Sequence, residues 1–315
     1  MFLYIVKRVG LGAVIIVIAI VLLYGMIHLI PGDPASIILG PRATPELRAA
    51  LAAKMGLDKP FPVQIATFLV DVARGDLGTD VFSNRPVAEI VFSQLPHTLA
   101  LIIAAITWAM AIGIPLGCYS ALHRNTMIDK ITGVISVGCI TLPSFLVALY
   151  ALLVFAVWLK WFPAIGAGRT GDLASQARHL VLPAFAIGLG WVGYIARLVR
   201  ASMLEVLAEN HVRTARAFGL PERVVIFRYV LRLAILPTVT VIGIGIGFLL
   251  SAAVFIEVVF ARPGIGKLII DSITTRNYPV VMGAVLASTV LFVVSTTLSD
   301  IVNAILDPRI RSSLR

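Results

Sequence analysis

Six long stretches of the sequence contain no Asp, Glu, Lys or Arg, and polar segments separate them. They occupy residues 9–30, 98–122, 131–159, 180–196, 233–256 and 279–299. Because a helix needs about 20 residues to cross about 30 Å of hydrocarbon, each stretch predicts a transmembrane helix. The pattern therefore predicts an all-α, polytopic membrane protein with six spans, at residues 9–30, 98–122, 131–159, 180–199, 233–256 and 279–303.

The composition indicates that lipid is the solvent of this chain. Of its 315 residues, 59% are hydrophobic and 13% are charged, and the mean hydropathy is +0.99. A soluble globular domain is far less apolar. The first apolar stretch is longer than that of a signal peptide, so we interpret it as a retained anchor helix. Cys118 and Cys139 lie within apolar stretches and do not indicate a redox compartment.

Basic residues are distributed unevenly among the segments that join the spans. If the N-terminus is cytoplasmic, the cytoplasmic segments hold 14 Lys and Arg, and the short outer segments hold six. Six more lie in the long segment 31–97, and a segment of that length crosses largely regardless of charge. We therefore predict cytoplasmic termini, at residues 1–8 and 310–315. The net charge of +10 is then the positive-inside signal and not a nucleic-acid footprint.

The external segment 31–97 contains signals for short helices. Thr44 can cap a helix that has Pro45 at its first position and runs to Gly56. A second stretch puts four apolar residues on one helical face: Ile65, Phe68, Leu69 and Val72. This second stretch is either a helix packed on the membrane bundle or a substrate contact, and we favour packing.

The segment 200–232, between the fourth and fifth spans, is polar and basic, and it is interrupted at Gly219-Leu220-Pro221. Gly suits the left-handed position after a helix end, and Pro suits the first turn of the next helix. The pattern predicts two helices joined by a sharp turn, with Arg213 and Arg216 on one face of the first. A turn of this shape can fit a groove in a partner protein and transmit a displacement from that partner.

The residues of this loop resemble a known family. The stretch from Asn210 to Leu220, followed by Arg232, Leu236 and Pro237, is similar to the coupling motif of ABC importer permeases of the dipeptide/oligopeptide branch, which have a long loop after the first span. Further stretches resemble that branch in the same order: Pro31-Gly32-Asp33-Pro34, Gly75-Asp76-Leu77-Gly78, Ala261-Arg262-Pro263-Gly264-Ile265-Gly266, Asn277-Tyr278-Pro279 and Leu306-Asp307-Pro308-Arg309. Phe218 departs from the pattern, because the branch has Lys there.

The resemblance implies the type I ABC importer permease fold, with its core in residues 98–309, in a bacterial inner membrane. It implies a cargo of dipeptides, oligopeptides or a related small solute. The implied partners are a second, homologous permease chain in a heterodimer, two subunits that bind ATP and magnesium, an external substrate-binding protein and membrane lipid. The residues expected to couple to the ATP-binding subunits are Glu209, Arg213, Thr214, Ala215, Arg216, Gly219, Leu220 and Pro221.

The sequence contains no recognisable ATP site of its own. The stretch Gly264 to Leu268 fails the phosphate-loop pattern, because Ala261 stands at the first Gly and Leu268 at the Ser or Thr. Histidines lack metal-ligand spacing and acidic partners, so we expect no catalytic residue, no metal site and no bound cofactor. The alternative function is an ion-coupled secondary transporter, which would need ionisable residues within its spans. The six stretches contain none, and we interpret Glu257 and Asp300, beyond their ends, as anchors or caps.

Small and helix-breaking residues indicate where a substrate could pass. Thr141, Pro143 and Ser144 interrupt the third span, and Gly243 and Ser251 lie in the fifth. Proline frees a backbone carbonyl that can face a cavity, while small residues let helices approach closely. These five are candidate pathway residues, and ordinary helix packing is the alternative for each.

Overall fold

The structure is a computed structural model that describes residues 2–29, 43–54 and 59–306. Three expectations concern residues outside these ranges: the motif Pro31-Gly32-Asp33-Pro34, the motif residues Asp307-Pro308-Arg309, and the predicted tail, residues 310–315. The described residues form helices and turns, with one isolated β-bridge between Thr79 and Pro86.

Thirteen α-helices follow one another in the described ranges. They are α1 (Phe2–Leu29), α2 (Pro45–Lys54), α3 (Phe61–Ala73), α4 (Val87–Leu122), α5 (Met127–Thr141), α6 (Ser144–Ala151), α7 (Leu173–Leu207), α8 (Asn210–Ala217), α9 (Glu222–Val224), α10 (Leu231–Ala234), α11 (Leu236–Val259), α12 (Ile265–Thr274) and α13 (Tyr278–Leu306). Two π-helical segments continue the α-helices, Leu152–Trp158 after α6 and Val225–Val230 between α9 and α10.

Five continuous helical stretches in the described part are long and apolar enough to cross a membrane, and a bent pair can form a sixth span. The five lie in α1, α4, α7, the run Glu222–Val259 and α13. The pair consists of α5 and of α6 with its π-helical extension, which meet at 96°. The bend follows Thr141, where Leu142 adopts an extended ψ of 120° and Pro143 lacks the N–H that would continue the helix. The fold is therefore all-α, with six spans when the pair counts as one.

Most of the spanning helices extend beyond the predicted spans, including α1 from Phe2 and α13 to Leu306. The helix α4 begins at Val87, so residues 87–97 of the predicted external segment are already helical. The helix α7 runs to Leu207, so residues 200–207 of the predicted coupling loop are its last turns and not loop. The predicted boundaries lie where charged or polar residues appear in the sequence. A helix can continue from hydrocarbon into water, because its backbone hydrogen bonds are internal in both solvents.

The described chain divides into two compact units, and the larger contains residues 100–262 together with the C-terminal part from residue 295. One apolar cluster lies among α4, α6, α7 and α11, around Leu101, Ile187 and Phe260. A second lies where α4 and α7 meet α8, around Val199 and Met203. Both clusters join helices that are distant in sequence, so the interior of this unit is formed by helix-on-helix packing.

The smaller unit contains residues 2–99 and 263–294. In it Ile20 and Tyr24 of α1 pack with Tyr278, Met282 and Leu286 of α13. All four apolar residues predicted to share a face of α3 pack against this cluster, which confirms the packing interpretation. The predicted cap of α2 is also present, since the Leu47 N–H donates to Thr44 Oγ1 at 3.3 Å.

Candidate functional site

Two backbone hydrogen bonds close the turn between α8 and α9. The Gly219 N–H donates to the Arg216 carbonyl at 2.9 Å, and the Leu220 N–H donates to the Ala215 carbonyl at 3.4 Å. This pair of bonds is the Schellman arrangement, which requires a left-handed residue, and Gly219 has a φ of +73°. Pro221 follows with a ψ of 139° and precedes the first residue of α9. The turn therefore lies at the three residues where the sequence predicted it.

One face of α8 packs against the end of the fourth span, α7, and so anchors the turn. Val212 and Ala215 are 0% and 5% exposed, and they lie in the same apolar cluster as Val199 and Met203 of α7. Val225, after the turn, is also 0% exposed and lies in that cluster. The opposite face is open to a partner, and its exposed residues are Arg213, Thr214, Arg216, Ala217, Phe218, Gly219 and Pro221.

An ion pair crosses the turn. Arg216 Nη2 lies 2.6 Å from Glu222 Oε1, and Nε lies 3.2 Å from Oε2, so the guanidinium binds the carboxylate with two hydrogen bonds. Both side chains are about half exposed, so the pair orients the turn more than it stabilises the protein. Glu222 was missed by the sequence reasoning, although an acid just after the Gly-Leu-Pro turn is a usable signal. At the other end of α8, the carboxylate of Glu209 lies 3.0 Å from His211 Nδ1, so the expectation that the histidines lack acidic partners is wrong for His211.

A cavity of about 650 Å³ opens beside the bend between α5 and α6. Its walls come from α5, α6, α7 and α11, and its aromatic lining consists of Trp191, Tyr194 and Phe248. Sequence reasoning missed these residues, although Trp191 and Tyr194 are three apart and so share a face of α7. Its described lining carries no charged side chain.

The candidate pathway residues occupy different environments. Ser144 lines the cavity, while Thr141 and Pro143 are exposed at the bend beside it. Gly243 is buried, and a Cβ atom there would lie 1.6 Å from Ser299 Oγ, so this glycine permits close helix packing. Ser251 is exposed, and its hydroxyl donates to the Gly247 carbonyl at 3.3 Å. The structure therefore brings three of the five together at the bend.

Comparison with known proteins identifies the family. Residues 113–312 match the model of the family "Binding-protein-dependent transport system inner membrane component", and residues 1–102 match the model of its N-terminal part. The chain belongs to this family. It is a permease of an ABC importer, which decides against the ion-coupled secondary transporter.

The alignments with two relatives of known name cover nearly the whole permease. It is 36% identical over 309 residues to the glutathione transport system permease protein GsiC of Salmonella typhimurium, and 35% identical over 309 residues to that of Escherichia coli. In both comparisons the match covers 98% of each chain. A solved structure of the MetNI methionine ABC transporter in inward-facing conformations has a TM-score of 0.55 and 15% identity. It covers 69% of this permease and 96% of that chain, and it shows the type I importer fold.

The phosphate-loop candidate of the permease forms part of a packed helix start. The helix α12 begins after Gly264, and Ile265 and Gly266 are buried. The N–H of Ile265 donates to Thr98 Oγ1 at 2.9 Å, so this donor is already used inside the smaller unit. Lys267 pairs with Asp271 on the same helix. Among the described residues, no group of three or more His, Cys, Asp or Glu could hold a metal ion.

Glu257 differs from its predicted position beyond a span end. It lies within α11 and is 0% exposed, and its carbonyl accepts the Arg262 N–H at 2.8 Å. The Arg262 side chain is 3% exposed, and it interacts electrostatically with Glu257. A buried carboxylate is tolerated here because an opposite charge is buried beside it. The spans are predicted as stretches without charged residues, so this pattern could not indicate that Glu257 and Arg262 are both buried.

Proposed function

We propose that this permease imports peptides or a peptide-like solute such as glutathione, and that residues 209–221 dock onto a separate ATP-hydrolysing subunit. The cargo class is supported by the relatives named for glutathione transport. The docking assignment is supported by one observation above all, an exposed turn whose other face is buried against the end of a span. The proposed contact residues are Glu209, Arg213, Thr214, Arg216, Phe218, Gly219 and Pro221, while Ala215 and Leu220 hold the turn in shape.

The proposed assembly contains a second, homologous permease chain and two subunits that bind ATP and magnesium. An external binding protein delivers the cargo, and both termini of the permease are cytoplasmic. The contacts of the larger unit support one part of this arrangement, a shared side of the membrane for the turn and the connection between α4 and α5. Arg200 of α7 binds Asp129 at the start of α5, so those helix ends lie together with the turn. At the other end, the Gly166 N–H donates to the Phe260 carbonyl at 2.9 Å, which joins the connection before α7 to the end of α11.

The mechanism follows from how the turn is anchored. ATP-driven closure of the partner subunits displaces the exposed face of α8. Since Val212 and Ala215 are packed against α7, the displacement reaches the fourth span, and through Val225 it reaches the run that leads into α11. Both spans line the cavity beside the bend, so their movement changes access to Ser144 and its neighbours. The permease forms the translocation pathway, and the partner subunits hydrolyse ATP.

The turn is tested with Gly219→Pro in the complete transporter. Proline cannot adopt a φ of +73° and cannot donate the hydrogen bond to Arg216, so the turn opens. We expect uptake of glutathione and of a radiolabelled dipeptide to fall at least about tenfold, while membrane insertion is unchanged. Gly171→Pro is the matched control, because Gly171 also has a positive φ of +87° and open space but lies outside the turn.

A second variant tests the charge on the docking face. Reversing Arg213 and Arg216 to Glu leaves Val212 and Ala215 in place, so the fold is retained, but it reverses the charge of the docking face and breaks the Glu222 pair. Co-purification of the ATP-hydrolysing subunit should be lost together with uptake. Normal uptake and normal co-purification in both this variant and Gly219→Pro would overturn the docking assignment.

A further inference from the structure

A buried carboxylate joins three helices at the same end of the permease as the turn. Asp129, in the first turn of α5, has a side chain that is 7% exposed. Its two oxygens lie 2.5 Å and 2.8 Å from Nε and Nη2 of Arg200 on α7. The Ser120 hydroxyl near the end of α4 donates to the same carboxylate at 2.6 Å, and the Asn125 N–H donates to it at 3.0 Å.

These contacts use almost all of the hydrogen-bonding capacity of the Asp129 carboxylate. Three side-chain hydrogen bonds and one backbone hydrogen bond converge on two oxygens, and two of them come from a planar guanidinium with matching geometry. The Asp129 carboxylate is buried, but the Arg200 side chain is 32% exposed, so the pair is only partly desolvated. Together with the Ser120 bond, the pair fixes the relative geometry of three helix ends.

The pair lies directly beside the anchor of the turn. Arg200 follows Val199 on α7, and Val199 is 0% exposed in the cluster that holds Val212 of α8. The same stretch of α7 thus contacts α8 through its apolar residues and contacts Asp129 of α5 through Arg200, while Ser120 of α4 binds the same carboxylate. A displacement of α8 reaches α4 and α5 through the packing of α7 on both helices, and this polar connection fixes how their ends follow it.

We propose that Asp129 and Arg200 are positioning residues for coupling, which lock the connection between α4 and α5 to α7 so that these ends move as one body with the turn. This inference rests on the proposed docking of an ATP-hydrolysing subunit at residues 209–221. It assigns a role to a site outside that docking face. Loss of the pair leaves docking intact and lets the connection between α4 and α5 move relative to the end of α7.

The test measures a distance inside the complete transporter complex. Spin labels at Arg124→Cys and Ala208→Cys, two exposed positions, report the connection between α4 and α5 and the end of α7, in a background without Cys118 and Cys139. Proteins with a single label give the background of distances between chains. We expect one narrow distance that is the same with and without ATP, magnesium and vanadate.

The informative variant replaces both partners, as Asp129→Leu with Arg200→Met. It leaves no unpaired charge but removes the acceptor of the buried Ser120 hydroxyl, so thermal stability should fall modestly while co-purification of the ATP-hydrolysing subunit matches the parent protein. The label distance should shift on addition of ATP, magnesium and vanadate, and its distribution should broaden about twofold. The control is Arg85→Met with Glu89→Leu, which removes an exposed pair of the same type at the other end of α4 and should change nothing.

Two results overturn the proposal. In the first, the parent protein itself shows an ATP-dependent distance between these labels. In the second, the double variant keeps the narrow and unchanged distance of the parent. Failure of the proposed function is a different result, because the parent permease would then not bind the ATP-hydrolysing subunit at all. If Asp129→Asn alone broadens the distance, but the double variant does not, an unpaired charge is the cause and positioning is excluded.

Discussion

Asp80 shows how one side chain shapes a connection in the smaller unit. Its carboxylate accepts the N–H groups of Phe82 at 3.2 Å and Ser83 at 3.0 Å, and it also binds the Ser83 hydroxyl and the Asn277 amide. Burial alone would raise the pKa of Asp80, but these hydrogen bonds to the charged form outweigh it and hold the pKa below its usual 3.8. The residue thus ties the connection before α4 to the start of α13.

The direction of this pKa shift predicts an acid dependence. A folded-state pKa that is depressed contributes stability at pH values above the unfolded value of 3.8, and that stability is lost as pH falls through the lower folded value. Amide exchange at Phe82 and Ser83, corrected for intrinsic rates, should therefore accelerate below pH 3.8 in the parent protein. In Asp80→Asn the amides should already exchange faster at neutral pH, with a weaker acid dependence. Identical acid dependence in both proteins would exclude Asp80 as the titrating group.

Two ion pairs show which side-chain contacts the sequence can suggest and which it cannot. Arg216 was predicted to share a helix face with Arg213, and its bond to Glu222 crosses a turn that the sequence also predicted. The pair of Asp129 and Arg200 was not predicted, because 71 residues separate its members. No local pattern brings two such residues together, so only the packing of α5 on α7 reveals them.

At the scale of elements, glycines decide how closely the helices α5 and α7 approach each other. A Cβ atom on Gly193 of α7 would lie 2.4 Å from the Ser136 carbonyl of α5, a distance that no packed structure tolerates. Gly138 of α5 has nothing within 4 Å of such an atom. Both glycines look alike in the sequence, and only the contact distinguishes them.

This pair of glycines gives a matched prediction. Gly193→Ala should destabilise the permease by about 1–3 kcal/mol, because the backbones must move apart. Gly138→Ala should be neutral or stabilising by up to about 1 kcal/mol, because Ala favours the helix and meets no neighbour. Thermal unfolding of the purified permease in detergent measures both. Equal effects of the two substitutions would mean that the close approach of α5 and α7 does not limit stability.

Helices were easier to predict than their ends. Long uncharged stretches predict spans because hydrocarbon excludes charge, and the bend in the third span follows from Pro143. The start of α4 at Val87 and the end of α7 at Leu207 lie in polar sequence. There the same residues suit a helix in water or a loop, so the choice depends on tertiary contacts, such as the packing of Val206 in the cluster around Met203.

At the scale of the whole molecule, the family membership predicts the energy source of transport. Proteoliposomes that contain the complete transporter should accumulate glutathione or a dipeptide only with ATP and magnesium at the ATP-hydrolysing subunits. A protonophore should leave uptake unchanged, and vanadate should abolish it. Uptake that collapses with the protonophore, or persists without the ATP-hydrolysing subunits, would contradict the proposed mechanism.

The sequence by itself determined the all-α membrane fold, the broken third span, the turn at Gly219 and the family. These depend on local chemistry, since hydrocarbon selects apolar residues over a helix length and a left-handed turn selects Gly. Tertiary structure alone decided that Val212 and Ala215 anchor the turn, that Gly243 packs against Ser299, and that Asp129 meets Arg200. Those facts depend on which helix faces meet, and that choice is made by the packing of residues far apart in the chain.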